Sequence, residues 1–320
     1  MLLVTGAAGF IGYHVARRLL ESGADVVGVD DLNDYYDPAL KHDRLAGLTS
    51  FPRFRFVKAD IAEPGALDLA APKADVRAIV HLAAQAGVRH SLAAPFAYER
   101  ANVAGHLAVL EYARAAPALQ HLVYASSSSV YGDRTDGPFR EDDRCDAPTS
   151  LYAATKRACE LMSESYARLF AIPQTGLRFF TVYGPWGRPD MAYFLFTKRM
   201  LAGETLTLFG DGELARDFTY IDDVAAAVVR VVDRPPTGAP PHVLMNLGNS
   251  RPSTVRELVS AIERATGLEA RIAFAPPPPG DVTATFADHT RASTAVGFAP
   301  STSLDDGIAR FVDWYKAWAR

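Results

Sequence analysis

Within residues 150–157, Ser-Leu-Tyr-Ala-Ala-Thr-Lys-Arg, a tyrosine and a lysine stand four positions apart. On a helix that spacing makes Tyr152 and Lys156 neighbours on one face, where the ammonium favours ionisation of the phenol. An unperturbed tyrosine titrates near about 10, so Tyr152 needs this help to accept a proton at neutral pH. The same spacing occurs on ordinary helices, so the chemistry has to be carried by what surrounds the pair.

The surroundings start at the N-terminus. Residues 2–5 form a short apolar strand that runs into Gly6-Ala7-Ala8-Gly9-Phe10-Ile11-Gly12 and then an amphipathic helix ending near Gly23. Strand, glycine-rich turn and helix start is the context in which such spacing means dinucleotide binding. Gly6 and Gly9 let the backbone turn tightly beside a pyrophosphate, whose charge a helix N-terminus favours, and Gly12 permits close packing of helix on sheet. The next strand, residues 25–29, ends at Asp30, a carboxylate able to accept hydrogen bonds from an adenosine ribose. No arginine follows Asp30 directly, so a 2'-phosphate would meet negative charge, and NAD is expected rather than NADP.

Apolar strands continue at 54–57, 78–82, 121–124 and 176–180, with helical stretches between them. That alternation predicts an α/β fold, a doubly wound parallel (Rossmann) sheet covered on both faces. Ligands in such sheets bind beyond the carboxyl ends of the strands, and those ends carry Asp60 and Ile61, Leu82, Ala83, Ala84 and Gln85, the serines 126–129, and Thr181. Beyond Thr181 the pattern loosens. Residues 185–189 read as a loop, 206–209 as a short strand, 216–219 as the lead into a helix near Asp222, and 243–247 as a strand returning to the main sheet. Residues 1–180, with a returning strand near 243–248, should form the dinucleotide-binding domain. Residues 181–320 should form most of a smaller, interleaved α/β lobe with helices at 255–265 and 304–318.

With 320 residues, a net charge of −4 and 49% hydrophobic residues, the chain suits one large or two interlocked globular domains. No basic excess points to a nucleic-acid partner. Apolar runs such as 224–232 fall far short of the roughly 20 residues of a membrane span. Met1 leads straight into a short strand and a turn, without a basic region or a long apolar one, so a cytoplasmic protein is expected. Cys145 and Cys159 are too few for a disulfide scaffold or thiolate metal site, both read as structural, and no metal is expected. The only biased tract is 276–279. Apolar stripes on helices 99–113 and 151–170 could pack across a two-fold axis or face the sheet.

Assembled, these residues resemble the extended short-chain dehydrogenase/reductases, within them the nucleotide-sugar 4-epimerases, and most of all the UDP-glucuronate 4-epimerases. The resemblance spans nearly the whole chain. It is carried by the N-terminal glycine motif, Ser-Ser-Ser-Ser-Val-Tyr-Gly at 126–132, Tyr-Ala-Ala-Thr-Lys at 152–156, Tyr-Gly-Pro-Trp-Gly-Arg-Pro at 183–189 and Arg-Asp-Phe-Thr-Tyr-Ile-Asp-Asp at 216–223. It implies NAD contacts at Gly6, Gly9, Phe10, Ile11, Gly12, Asp30, Asp60, Ile61, Leu82, Ala83, Ala84, Gln85, Asn102, Tyr152 and Lys156. It implies UDP-sugar contacts at Arg89, Ser127, Ser128, Ser129, Thr181, Arg188, Thr207, Phe209, Arg216 and Asp281, and it implies a homodimer. Family members carry another basic residue close to Pro279-Gly280-Asp281; prolines stand there in this chain, so a third diphosphate contact beside Arg216 and Arg89 is left unassigned.

The chemistry expected is removal of the C4 hydroxyl proton by Tyr152, with Ser127 hydrogen-bonded to that hydroxyl and hydride passing to NAD and back. Related dehydratases and decarboxylases place an acidic residue or pair just before Val-Tyr-Gly; this chain has Ser128 and Ser129, which favours epimerisation. Galactose-type enzymes commonly have Asn where this chain has Thr181, and Arg188 offers a cationic fork suited to a sugar carboxylate. UDP-glucuronate is therefore the expected substrate. The competing readings are a 4-epimerase of a neutral or N-acetylated UDP-hexose, a UDP-glucuronate decarboxylase, and a non-catalytic NAD sensor on the same scaffold.

Overall fold

A computed structural model describes residues 1–134, 136–276 and 284–319. Its centre is a seven-stranded sheet of β1 (Leu2–Thr5), β2 (Val26–Asp30), β3 (Phe54–Lys58), β4 (Ala78–His81), β5 (His121–Ser127), β6 (Gln174–Phe179) and β11 (His242–Leu247). The strand order is β11-β6-β5-β4-β1-β2-β3 and every pairing is parallel. Short Val- and Leu-rich runs, buried along their whole length in β1, β2 and β4, are what a sheet covered on both faces demands. The doubly wound expectation holds, and the order reverses between β1 and β4, which opens a crevice at their carboxyl ends.

Helices α1 (Phe10–Glu21), α2 (Ala39–Thr49), α3 (Ala66–Ala70), α4 (His90–Ala93), α5 (Pro95–Tyr98), α6 (Gly105–Arg114) and α7 (Leu151–Phe170) belong to this sheet. Two details differ from the sequence reading. The helix expected over 99–113 begins earlier, at Pro95, and passes through a widened π-helical stretch, Glu99–Ala104, before α6. The serine run divides: β5 extends to Ser127, and Ser128–Tyr131 turns as a 3-10 helix. Periodicity cannot foresee this, because Ser127 satisfies the turn locally, its Oγ accepting from Ser129 N at 3.2 Å.

The remaining elements are β7 (Thr181–Tyr183), α8 (Ala192–Leu201), β8 (Leu206–Phe209), β9 (Ala215–Arg216), β10 (Phe218–Tyr220), α9 (Ile221–Val232), β12 (Ser253–Thr254), α10 (Val255–Thr266), β13 (Ile272–Ala275), α11 (Thr290–Val296) and α12 (Leu304–Trp318). They make two-stranded pairings β10-β7, β12-β9 and β13-β8 outside the main sheet. Capping fixes two of the helices: Thr254 and Glu257 form a reciprocal capping box on α10, and Ser303 caps α12. An aromatic cluster, with Trp186 and Trp314 at 5.1 Å and Phe194 and Phe311 at 5.6 Å, seats α12 against the 185–189 loop. Arg44, fully buried, donates to the carbonyls of Ala8, Trp186 and Gly187 and so ties that loop to the glycine-rich turn. Both cysteines are buried and free. Among the described residues no helix is long and apolar enough to cross a membrane.

Candidate active site

A cavity of about 440 Å³ opens where the sheet reverses, and it is lined from the glycine-rich turn at one end to Thr181 and Arg216 at the other. At the turn, Gly6 has φ +72°, and a Cβ there would sit 2.6 Å from Ala83 N. A Cβ on Gly12 would lie 1.9 Å from Gly6 O. No other residue fits either position, and the result is a tight turn against the end of β4. Gly9 is the N-cap of α1 and no side chain caps it, a geometry suited to an anionic group.

Asp30 closes β2 with both carboxylate oxygens anchored, Oδ2 accepting from Ala8 N at 3.1 Å and Oδ1 from Leu32 N at 2.9 Å. Burial pushes its carboxyl above the ordinary value, opposed by Lys41 and by those two N–H groups. Lys41, 5% exposed, donates to Asn33 O and Oδ1 at 2.8 and 3.0 Å, and burial lowers its ammonium. The two charges stabilise one another where they line the cavity.

The chemical end is built by α7. Ser150 caps it, its Oγ accepting from Ala153 N at 3.1 Å, and one turn later Tyr152 and Lys156 both reach the cavity. Lys156, 3% exposed, donates to Ala125 O at 3.1 Å, which pins its ammonium to the end of β5. The Tyr152 ring packs edge-on against Tyr98 at 6.0 Å, and Tyr98 OH donates to the carbonyls of Ala86 and Gly87 at 2.9 and 2.6 Å. One further turn along α7, Glu160 meets Arg178 of β6 through two hydrogen bonds of 2.8 and 2.9 Å, both side chains 1% exposed. Ser126 and Arg157 also donate to Glu160, at 2.6 and 2.9 Å. Burial alone would raise the Glu160 carboxyl; Arg178, Ser126 and Arg157 outweigh it and hold it below the ordinary range. The ion pair ties α7 to β6, and the bond from Ser126 ties α7 to the serine run.

Across the cavity, Thr181 N donates to Asp217 O at 3.1 Å. The Asp217 carboxylate accepts from the backbone N–H of Asn249, Ser250 and Ala287 at 2.5, 2.9 and 3.0 Å, which fixes the strand that presents Arg216. Arg188 is paired with Asp190, Nε to Oδ1 at 3.0 Å and Nη2 to Oδ2 at 2.6 Å, and Tyr35 OH donates to the same Oδ2 at 3.0 Å. Burial favours the neutral forms of Arg188 and Asp190, but their mutual attraction raises the one and lowers the other. Tyr35 is pushed up to about 12, by burial first and Asp190 second.

The sequence matches the family described as the NAD dependent epimerase/dehydratase family over residues 2–248. The chain belongs to that family. Within it, the chain is 46% identical to a probable UDP-glucuronate 4-epimerase of Rhizobium meliloti (strain 1021), covering 98% of this chain and 96% of that one. It is 44% identical to UDP-glucuronate 4-epimerase 1 of Arabidopsis thaliana, covering 99% of this chain and 77% of the other. The crystal structure of UDP-glucuronic acid 4-epimerase from Bacillus cereus in complex with UDP-glucuronic acid and NAD superposes with a TM-score of 0.92 at 36% identity, covering 99% of each chain.

In this member of the epimerase/dehydratase family, the cavity gathers Gly6, Gly9, Phe10, Ile11, Gly12, Asp30, Asp60, Ile61, Leu82 to Gln85, Arg89, Ser127 to Ser129, Tyr152, Lys156, Thr181, Arg188 and Arg216. Asn102 stands behind the wall. Buried, it accepts from Gln85 N and donates to Gln85 O and Thr155 Oγ1, so it ties the end of β4 to α7. Phe209 also stands back, under the Arg89 guanidinium at 4.7 Å, and Thr207 lies on β8 beside Ala273, outside the lining. Asp281 and residues 277–279 lie outside the described residues. Sequence reasoning passed over Lys41, Asn33, Tyr35 and Gly87, all of which line the cavity. The polar run 31–41 so soon after Asp30 was the available signal for the first three.

Proposed function

We propose that this protein is an NAD-dependent UDP-sugar 4-epimerase that interconverts UDP-glucuronate and UDP-galacturonate. The observation that carries the reading is the convergence of Tyr152, Lys156, the serine run and Thr181 on a cavity whose other end is the Gly6-to-Gly12 turn and Asp30. That end fits a dinucleotide: a turn that only glycine can make, an uncapped helix start for a pyrophosphate, and an anchored carboxylate for a ribose diol. When bound, NAD supplies the acceptor and then the donor of the C4 hydride, on opposite faces of the sugar.

The chain's own residues do the rest. Tyr152 takes the proton of the C4 hydroxyl and returns it, with the Lys156 ammonium favouring the phenolate and Ser127 orienting the hydroxyl. Ser128, Ser129 and Thr181 offer hydrogen bonds to the uronate carboxylate and hold its bond to C5 away from the perpendicular alignment that releases carbon dioxide. The absence of an acidic residue at 128 and 129 favours epimerisation over elimination. In this reading residues 1–180 with β11 hold the cofactor, and residues 181–320 hold most of the UDP-sugar.

Proton magnetic resonance of UDP-glucuronate incubated with the purified protein, without added NAD, should show UDP-galacturonate signals growing in. Conversion of UDP-glucose or UDP-N-acetylglucosamine alone would move the assignment to a neutral hexose, and release of carbon dioxide as the main event would make it a decarboxylase. Thr181→Ala should raise the fraction of 4-keto-pentose by-product in the same spectra; an unchanged fraction removes Thr181 from carboxylate control.

The protein is further read as a cytoplasmic homodimer. Support comes from large apolar side chains left outside the fold on α4, α5 and α7: Leu92, Phe96, Leu161 and Leu169, the last 70% exposed. Sedimentation at micromolar concentration should give the mass of two chains, and Leu161→Lys with Leu169→Lys should give one.

A further inference from the structure

Tyr35 follows β2 and Arg188 follows β7, yet both line the cavity and both meet Asp190. Asp190 takes Nε and Nη2 of the guanidinium, the edge with which an arginine grips a carboxylate in parallel hydrogen bonds. Gly87 packs directly against this cluster, since a Cβ there would lie 2.9 Å from Tyr35 OH and 3.7 Å from Arg188 Nη2, with φ at +109°. Gly87 O accepts from Tyr98 OH, and the Tyr98 ring rests on Tyr152. Contact is therefore continuous from the Arg188 pair to the phenol.

A 4-epimerase must let the sugar turn over between the two hydride transfers, an argument that rests on the function proposed above. A uronate carboxylate seized by the whole guanidinium fork would have to break two charge-assisted hydrogen bonds for each turn. We propose that Asp190, steadied by Tyr35, is a positioning residue that keeps the Arg188 fork from closing on the sugar carboxylate, so that the uronate is held at one point and its ring can turn beside Tyr152. Asp190 thus acts through Arg188 and acts only on acidic sugars.

The test is isothermal titration of the NAD-loaded enzyme with UDP-glucuronate and with UDP-glucose, alongside turnover, for wild type, Asp190→Ala, Asp190→Asn and Tyr35→Phe. Freeing the fork should tighten UDP-glucuronate binding roughly tenfold, the worth of one charge-assisted hydrogen bond. Turnover should fall by a similar factor while UDP-glucose affinity stays level. A merely structural role would weaken both ligands together. In a double-mutant cycle, Asp190→Ala should have no further effect once Arg188→Ala is present. Weaker or unchanged UDP-glucuronate binding, equal shifts for the two ligands, or additive losses with Arg188→Ala would overturn the proposal. Should the Asp190 variants fail to fold, Tyr35→Phe carries the same comparison with a smaller shift in the same direction. A wild type that binds UDP-glucuronate without turning it over would sink the proposed function, while the two-ligand comparison would still decide the role of Asp190.

Discussion

Tyr152→Phe should lower turnover of UDP-glucuronate by about 10²- to 10⁴-fold, the range set by loss of a positioned acid–base group, while the purified variant keeps its full complement of NAD. The substitution removes one oxygen. It leaves the ring against Tyr98, the Ser150 cap on α7 and the hydrogen bond from Lys156 to Ala125 untouched. The glycine-rich turn follows β1 and Asp30 ends β2, and neither depends on the phenol. Absorbance of dinucleotide released from denatured protein reads the cofactor, and coupled assay reads the turnover. Residual activity above a tenth of wild type would remove Tyr152 from the role of base.

Arg178→Ala should cost about 3–5 kcal/mol of stability, the penalty for stranding one partner of a buried ion pair, and should cost activity as well. Glu160 would lose two hydrogen bonds and retain Arg157, 31% exposed, and Ser126. The pH dependence follows from the direction of the Glu160 shift. In wild type the folded carboxyl titrates below its unfolded value, so the stabilisation is fully present above about pH 4.3 and is lost as pH falls through the folded value. In the variant burial dominates and raises the folded carboxyl. The unfolded chain then binds fewer protons than the native one above about pH 4.3, and stability falls as pH rises. Urea denaturation at pH 5 and pH 7.5 should show the larger deficit at pH 7.5. Equal deficits at both would mean that Arg178 acts by packing against Tyr131, over whose ring it lies at 4.7 Å, rather than by charge.

Much of the site was legible in the sequence because its rules are local. A tight turn into a helix demands glycine at residues 6 and 12 wherever it occurs, and two residues four apart on a helix share a face regardless of the fold around it. The parallel sheet was equally open, since strands separated by helices leave few other arrangements. The division of the serine run between β5 and a 3-10 turn was not legible, because its path is decided by hydrogen bonds from Ser129 to Ser127 rather than by apolar spacing. Asn102, for which the resemblance implies an NAD contact, stands behind Gln85, where its side chain bonds Gln85 N, Gln85 O and Thr155 Oγ1, a placement that no local spacing foretells.

By itself the sequence determined the family, the dinucleotide turn, the tyrosine and lysine pair and the parallel sheet, each written in neighbouring residues or in the period of the apolar pattern. Only the tertiary structure decided which charges meet. Glu160 finds Arg178 on another element, and Asp190, which meets Arg188 only two positions away, is joined by Tyr35 from across 155 positions of chain. The reason is physical: backbone sterics and helical period act between near neighbours, whereas the pairing of buried charges depends on which loops the folded sheet brings to one end, and no spacing along the chain encodes that.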